Sequence, residues 1–236
     1  MNKIYLVSII IVTYNAEKHI ADVLQSLITR IDDNTEVIIV DGLSNDRTLE
    51  IIKEYKEYVT VLISEKDEGI YDAMRKGVAN ASGKFILFLG ADDKLLTNMD
   101  GLSNVLIENS TIYYGDVMLY PSNELYGGKF NTAKLLNRNI CHQSIFYPKE
   151  VFEDYKFELE YKYLADYVMN LKLWASKKYN FHYLEKTIAM YNVTGLSSTF
   201  IDVKYKSGAY NLIYSYFGIR GLLIKLFNPI RNFFKI

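Results

Sequence analysis

The segment VSIIIVTYNAEKHIADVLQSLITR, residues 7–30, introduces the pattern that the first half of this chain repeats. Its first part, Val7–Thr13, is a nearly unbroken apolar run, which is typical of a strand covered on both faces. Its second part carries apolar residues at the spacing of one helix face, namely Ile20, Val23, Leu24, Leu27 and Ile28. A buried strand therefore leads into an amphipathic helix.

Three further apolar runs of strand length follow: EVIIVD (36–41), TVLIS (60–64) and KFILFL (84–89). Between them, residues 46–55 and 70–80 repeat the helical spacing. This alternation predicts an α/β fold with a mostly parallel, Rossmann-like central sheet flanked by helices. In such sheets, ligands collect at the carboxyl ends of the strands.

The pattern is weaker beyond residue 110. There the sequence predicts four extended segments and two helices. The extended segments are Thr111–Met118, Tyr126–Phe130, Ser144–Tyr147 and Phe181–Tyr191. The helices are Asn131–Asn139 and Tyr163–Lys177.

Composition excludes several classes of protein. With 236 residues, of which 50% are hydrophobic and 14% aromatic, the chain is neither disordered nor collagen-like nor a disulfide scaffold. Its single cysteine, Cys141, cannot form an internal disulfide. No signal-peptide pattern is present, and we expect a cytoplasmic protein.

Polar residues follow the predicted strands where a ligand would bind. Asp92 and Asp93 come directly after the fourth strand, and Mg²⁺ is usually held by one or two carboxylates. A solvated turn that caps the next helix is the alternative interpretation. At the second strand, Asp41 is placed to accept hydrogen bonds from a nucleobase or a ribose, whereas Asp46 has the position of a helix cap.

Four segments together carry a family resemblance. They are IIIVTYNAE (9–17), VDGLSNDRT (40–48), SEKDEGIYD (64–72) and FILFLGADD (85–93). In this order and spacing the chain resembles the inverting glycosyltransferases of family 2, which have the GT-A fold. The resemblance is strong over residues 4–120 and looser to about 200.

The resemblance implies an enzyme that moves a hexosyl or N-acetylhexosaminyl group from a nucleotide-diphosphate sugar, with UDP as the first choice, to an acceptor hydroxyl with inversion. Mg²⁺ or Mn²⁺ is the implied cofactor, and a glycan or lipid-linked molecule the implied acceptor, in cell-surface polysaccharide or lipid-linked oligosaccharide synthesis. Residues 1–200 would form the GT-A domain, with a nucleotide-binding part (1–110) and an acceptor-binding part (111–200). Residues 201–236 would be a basic helical extension. We expect no nucleic-acid partner. Whether the protein forms a homodimer is an open question.

The resemblance assigns donor-binding roles to individual residues of this chain. Thr13, Asn15 and Glu17 match the family's first nucleotide-binding segment, and Asp41 matches its base-recognising acid; capping the first helix is the alternative role for Asn15. Asp72 and Arg75 lie in the segment that usually faces the nucleotide and diphosphate.

The D-x-D motif of the family is altered in this chain. Asp92 matches its second acid, which is expected on the metal, but Gly90 stands in place of the first. The resemblance therefore leaves Asp92 and Asp93 as the metal ligands, and Ala91 is included among the nucleotide-binding residues.

An inverting transfer needs a carboxylate on the acceptor side, opposite the leaving diphosphate. Asp166 is our candidate, because it begins a predicted helix as the family base does; a plain helix cap is the alternative. Glu158 and Glu160 are weaker candidates. His142 is predicted either to line the site or to be structural, since no second ligand at zinc spacing accompanies it.

Two late segments complete the predictions. Gly195, Ser197 and Ser198 resemble a loop that folds over the diphosphate, although any mobile loop has such a composition. Residues 219–236 mix basic and apolar side chains, which suits a helix in the anionic interface on the inner face of a membrane. Packing on its own domain or on a second subunit is the alternative, and Pro229 would kink the helix.

A second function class stays open, because Gly90 makes a catalytically silent nucleotide-sugar or glycan binder conceivable. Such a binder would hold nucleotide and release no free diphosphate product. Two other nucleotide-enzyme classes are disfavoured, because the chain contains neither G-x-G-x-x-G nor the P-loop motif.

Overall fold

The computed structural model describes residues 3–195 and 200–227. Its strands are β1 (Val7–Thr13), β2 (Thr35–Asp41), β3 (Val61–Ser64), β4 (Phe85–Gly90), β5 (Lys94–Leu95), β6 (Thr111–Tyr120), β7 (Glu124–Tyr126), β8 (Ile145–Pro148) and β9 (Asn180–Asn192). Its α-helices are α1 (Ile20–Ile28), α2 (Thr48–Glu54), α3 (Ile70–Asn80), α4 (Thr132–Leu135), α5 (Val151–Asp154), α6 (Ala165–Ser176) and α7 (Val203–Phe227). Short 3₁₀ turns lie at Leu102–Asn104 and His142–Ser144.

The strands form one sheet in the order β3-β2-β1-β4-β8-β6-β9-β5, and β7 pairs with β6. The first four strands are parallel, as the alternation predicts, and β8 joins β4 in the antiparallel sense. This arrangement confirms the predicted α/β fold of the GT-A type. Both predicted parts of the chain contribute to the same sheet, since β8 lies between β4 and β6.

Alternating side chains of the central strands fill two core layers. Ile10 of β1 packs with Met74 of α3, whereas Ile11 belongs to the layer that contains Leu24 of α1. All four residues are at most 1% exposed. Burying each such side chain stabilises the fold by roughly 1.5–3 kcal/mol. The buried strands are thereby held in a fixed register, which positions the loops that follow them.

The second half departs from the prediction in places. The return strand predicted at Tyr126–Phe130 is wrong, because β7 ends at Tyr126, where Gly127 and Gly128 both adopt positive φ. The helix predicted at Asn131–Asn139 is reduced to α4, and α5 and β5 were not predicted. These elements are two to four residues long, too short for periodicity to reveal.

The C-terminal helix α7 begins at Val203, close to the start of the helical extension predicted for residues 201–236, and bends at Gly218. Before the bend it is anchored in the core by Tyr205, Ala209 and Ile213. After the bend, Lys225 turns inward and donates a hydrogen bond to the Leu136 carbonyl at 2.9 Å. Pro229 and the rest of the tail lie outside the described residues. In the part that the structure describes, no helix combines the length and apolar character needed to cross a membrane.

Candidate functional site

Three parallel strands end side by side at one edge of the sheet. Thr13 at the end of β1 pairs with Asp41 of β2, and Val12 pairs with Gly90 of β4. Parallel strands bring their carboxyl ends to one edge. The predicted donor residues of the first, second and fourth segments therefore gather in one place.

Asp41 is fully buried at this edge. Its Oδ2 accepts hydrogen bonds from the Ser44 amide at 3.0 Å and the Ser64 hydroxyl at 2.7 Å, and the Ser44 hydroxyl bonds to Oδ1. The carboxylate thus fastens the loop after β2 to the end of β3. This geometry favours a structural role for Asp41 over the predicted contact with a base.

The loops after β1 and β2 are tied together by reciprocal hydrogen bonds. Asn15 Oδ1 accepts from the Asn45 amide at 2.9 Å, and Glu17 Oε2 accepts from the Arg47 amide at 3.1 Å. Asp46 in turn accepts from the Glu17 amide at 3.1 Å. Asn15 and Glu17 therefore shape the rim of the edge, and neither caps α1, which begins at Ile20.

A different acid presents a free oxygen beside this rim. A Cβ placed on Gly42 would lie 2.5 Å from Asp67 Oδ2 and 3.4 Å from the ring of Tyr14, which is 63% exposed. Asp67 Oδ1 accepts from the Gly69 amide at 2.9 Å, while Oδ2 has no hydrogen-bond partner among residues 3–195 and 200–227. Thr13 Oγ1 is also buried and unpartnered within those ranges. The resemblance did not carry over Asp67, although its place after the third strand was a signal.

Helix α3 carries Asp72 and Arg75 on its surface. Asp72 accepts from the Glu68 amide at 3.2 Å and pairs with Lys76 at 3.4 Å. Arg75 is exposed and shares a surface cleft with Asp72 and Lys156. Within the described residues, no hydrogen bond or ion pair links Arg75 to the strand edge. The structure therefore places Arg75 beside Asp72 and does not join it to the predicted donor residues at the strand edge.

Asp93 is 1% exposed and holds three elements together. It accepts from the Gly90 amide at 2.7 Å, the Gln143 side chain at 3.1 Å and the Asn192 amide at 3.1 Å. Burial, together with the neighbouring charge of Asp92, raises the pKa of Asp93 to about 6. Because its oxygens are engaged inside the protein, the geometry favours a structural role over the predicted metal contact.

Asp92 is only partly buried, next to Ala91 at the end of β4. Its Oδ2 accepts from the Asn192 side chain at 3.1 Å, and no other residue of the described ranges donates a hydrogen bond to its Oδ1. Burial raises the pKa of Asp92. A Cβ on Gly90 would lie 3.2 Å from Asp92 Oδ1 and 2.9 Å from Asp93 Oδ2. The carboxylates of Asp92 and Asp93 therefore already occupy the space that the first acid of the D-x-D motif would take.

Asp166 lies in the first turn of α6 and is 4% exposed. The Tyr71 hydroxyl donates to its Oδ1 at 2.8 Å, the Asn139 amide donates to Oδ2 at 2.8 Å, and His142 Nδ1 lies 3.1 Å from Oδ2. His142, predicted as a site-lining residue, therefore contacts the predicted base directly. Sequence reasoning did not single out Tyr71, although it lies in the segment SEKDEGIYD, or Asn139, which lies in none of the four segments.

The turn His142–Ser144 connects the donor side to the acceptor side. Its first residue contacts Asp166, and its second residue, Gln143, donates to Asp93. Gly195, after β9, also approaches this place, since a Cβ on it would lie 2.9 Å from Asp92 Oδ2. Ser197 and Ser198 lie outside the described residues. Two adjacent side chains, His142 and Gln143, therefore lie between the predicted metal-side acids and the predicted base.

The buried acids and histidine of this site do not form a closed metal centre. Among the described residues, no cluster of three or more acids, histidines or cysteines is arranged to hold a metal ion. Asp92 Oδ1 accepts no hydrogen bond from another described residue, and Mg²⁺ commonly takes one or two carboxylates together with substrate phosphates. The donor set therefore fits a cation that arrives with a diphosphate.

Comparisons with known proteins identify the family of this chain. The model of the family "Glycosyl transferase family 2" matches residues 8–101. A PGL/p-HBAD biosynthesis glycosyltransferase of Mycobacterium tuberculosis is 36% identical over 209 residues, which cover 84% of this chain and 81% of that protein. The Escherichia coli UDP-Glc:alpha-D-GlcNAc-diphosphoundecaprenol beta-1,3-glucosyltransferase WfgD is 31% identical over 138 residues, which cover 57% of this chain and 54% of WfgD.

Among solved structures, S. aureus TarS 1-349 in complex with UDP-GlcNAc superposes with a TM-score of 0.68. It is 19% identical and covers 93% of this chain and 70% of the TarS chain. At that identity the likeness speaks to the fold alone.

Proposed function

The chain belongs to glycosyl transferase family 2, and we propose that it transfers a sugar from a UDP-sugar to an acceptor hydroxyl with inversion at the anomeric carbon. One observation carries the proposal: the His142–Ser144 turn contacts Asp93 on one side and Asp166 on the other. A donor seated at Asp92 would therefore lie within reach of a base on the opposite wall.

The nucleotide end of the donor would lie at the rim formed by the loops after β1, β2 and β3. Asp67 Oδ2 has no partner among the described residues and would accept the N3–H of uracil, while the exposed ring of Tyr14 offers a stacking surface. Thr13 supplies a hydroxyl at the same rim. Asn15, Glu17 and Asp41 would act by shaping these loops. The name of WfgD gives UDP-Glc as its donor, which supports UDP as the first choice.

Asp92 would hold Mg²⁺ or Mn²⁺ through Oδ1, together with phosphate oxygens of the donor. When bound, the cation would neutralise the charge that develops on the leaving diphosphate. Asp93 keeps Gly90, Gln143 and Asn192 in place around Asp92. Gly90 leaves room for both carboxylates, so the altered D-x-D motif is compatible with a working donor site.

Asp166 would act as the base on the acceptor side. As the acceptor oxygen bonds to the anomeric carbon, the bond from that carbon to the diphosphate oxygen breaks, and the hydroxyl proton passes to Asp166. A base in hydrogen-bond reach typically contributes about 10²–10⁴-fold to the rate. Inversion follows because the acceptor attacks from the side opposite the diphosphate.

The acceptor and its location form the finer part of the proposal. WfgD acts on a diphosphoundecaprenol-linked sugar, which supports a lipid-linked acceptor and a position on the inner face of the membrane. After the bend in α7, Ile219, Leu223, Leu226 and Phe227 are 47–80% exposed. The segment beyond residue 202 contains bases and no acid. An apolar face next to the exposed base Arg220 suits an anionic lipid surface.

Vesicle co-sedimentation tests the membrane contact. We expect binding to phosphatidylcholine vesicles that contain phosphatidylglycerol, and at least about tenfold weaker binding when Leu223 and Phe227 are both changed to serine. Ile107→Ser, which removes an equally exposed apolar residue elsewhere, is the matched control. A variant that still binds, or a dimer by light scattering that the double variant abolishes, would contradict the membrane role; the second result would identify a homodimer face.

Release of free UDP from UDP-glucose and UDP-GlcNAc, measured with and without Mn²⁺, tests the proposed activity. We expect wild-type turnover that depends on the metal, and its loss in Asp92→Ala. Asp22→Ala removes an acid that pairs with Lys94 on the surface and serves as control. A protein that binds UDP with no release, whatever the acceptor, would be the silent binder instead.

A further inference from the structure

The hydrogen bonds of Asp166 distinguish its two oxygens. Asn139 and His142 both contact Oδ2, and Tyr71 alone contacts Oδ1. An ionised carboxylate has about four lone-pair positions, two on each oxygen. With Oδ2 occupied twice, the one position left open is on Oδ1. That oxygen is therefore the one able to accept a proton from an acceptor hydroxyl.

Tyr71 is well suited to fix that oxygen. Its ring is 4% exposed and packs against Phe157 with ring centroids 5.3 Å apart. Burial raises the pKa of its hydroxyl well above the usual value, so the group stays a neutral donor. The Tyr163 carbonyl also lies 2.9 Å away, but an ionised carboxylate is the stronger acceptor for a single hydroxyl hydrogen.

We infer that Tyr71 is a positioning residue for the proposed transfer, which holds Asp166 Oδ1 in line with the acceptor hydroxyl. The inference rests on the proposed function. Tyr71 belongs to α3, in the predicted nucleotide-binding part, whereas Asp166 belongs to α6. Their hydrogen bond spans the two parts of the chain. During transfer the proton moves from the acceptor oxygen to Oδ1, the new bond to the anomeric carbon forms, and UDP leaves with the electrons of the broken bond.

Tyr71→Phe tests the inference, because it removes the hydroxyl and keeps the ring. We expect kcat for UDP release from UDP-glucose or UDP-GlcNAc to fall about tenfold to a hundredfold, with the Kd for UDP within about threefold of wild type. Tyr167→Phe is the matched control, since its buried hydroxyl, also on α6, donates to the Leu135 carbonyl and leaves Asp166 untouched. Equal losses in the two variants would overturn the inference, because they would point to general destabilisation.

A double-mutant cycle separates action through Asp166 from other roles. In an Asp166→Asn background, Tyr71→Phe should cause less than about a twofold further loss of residual turnover. A full additional loss would overturn the inference. Crystal structures of wild type and Tyr71→Phe add a readout that needs no turnover. We expect the Asp166 carboxylate to rotate in the variant, and an unchanged carboxylate would contradict the inference. Absence of UDP binding by the wild-type protein would instead contradict the proposed function itself.

Discussion

The donor edge and the acceptor wall present their acids in different ways. At the donor edge, acids follow strands directly, and most of them fasten loops: Asp41 binds Ser44 and Ser64, and Asp93 binds three elements. On the acceptor wall, a single acid, Asp166, is held by side chains that are 24 to 95 residues away in sequence. An acid that follows a strand is therefore not by itself evidence of a ligand contact, and we use a carboxylate oxygen without a partner among the described residues to distinguish the two roles.

The largest effect should come from the acceptor wall. Asp166→Asn removes the proposed proton acceptor, so we expect UDP release to fall about 10³-fold. The Kd for UDP, measured by titration calorimetry, should stay within about threefold, a change below about 1 kcal/mol. Glu160→Gln is the control, because Glu160 pairs with Lys204 on the surface. Full activity of Asp166→Asn would remove that residue as the base.

At the donor edge, a fastening acid should matter for stability. Asp41→Ala removes a fully buried carboxylate and leaves the hydroxyls of Ser44 and Ser64 without their acceptor. We expect it to lower the free energy of unfolding by about 2–3 kcal/mol. Asp67→Ala, at a partly exposed acid of the same edge, should change it by less than about 0.5 kcal/mol. Urea unfolding measures both. Equal losses of unfolding free energy in the two variants would show that the greater burial of Asp41 does not make it more important for stability than Asp67.

Asp93 should make the free energy of unfolding depend on pH. Its pKa rises from about 3.8 to about 6 on folding, so ionisation costs stability progressively as pH rises from about 4 to about 6, and the full cost of roughly 3 kcal/mol persists above that range. The amide introduced by Asp93→Asn does not ionise. Relative to wild type, this variant should therefore gain about 2–3 kcal/mol between about pH 4 and pH 7.5 in urea unfolding with EDTA present. A stability difference that stays constant with pH would contradict this environment for Asp93.

The smallest expected effect tests whether Asp67, rather than Asp41, contacts the base of the nucleotide. Asp67→Asn replaces an acceptor by an amide, so we expect UDP to bind about tenfold more weakly, or about 1.4 kcal/mol, and CDP to gain relative to UDP. Glu68→Gln removes the same charge from the next position in the loop and should change neither affinity. If Asp67→Asn binds UDP as wild type does, the base contact lies elsewhere on the rim.

The sequence predicted the donor half more fully than the acceptor half. The bounds of β1 and α3 agree with prediction, because their apolar periodicity is long and uninterrupted. In the acceptor half, β5 and α5 are two and four residues long and carry no period. The residues of the site also differ in how well the sequence predicted them. Motifs pointed to Asp92 and Asp166, but Tyr71, Gln143 and Asn192 act through contacts between distant segments, which one sequence does not reveal.

A crystal structure with UDP and Mn²⁺ bound would examine the shared cleft itself. We predict the ion within about 2.0–2.4 Å of Asp92 Oδ1 and of a diphosphate oxygen, the uracil beside Tyr14 and Asp67, and Asp166 facing the diphosphate from the opposite wall. UDP bound instead in the surface cleft of Arg75 and Lys156, or a diphosphate remote from Asp92, would contradict the site proposed here.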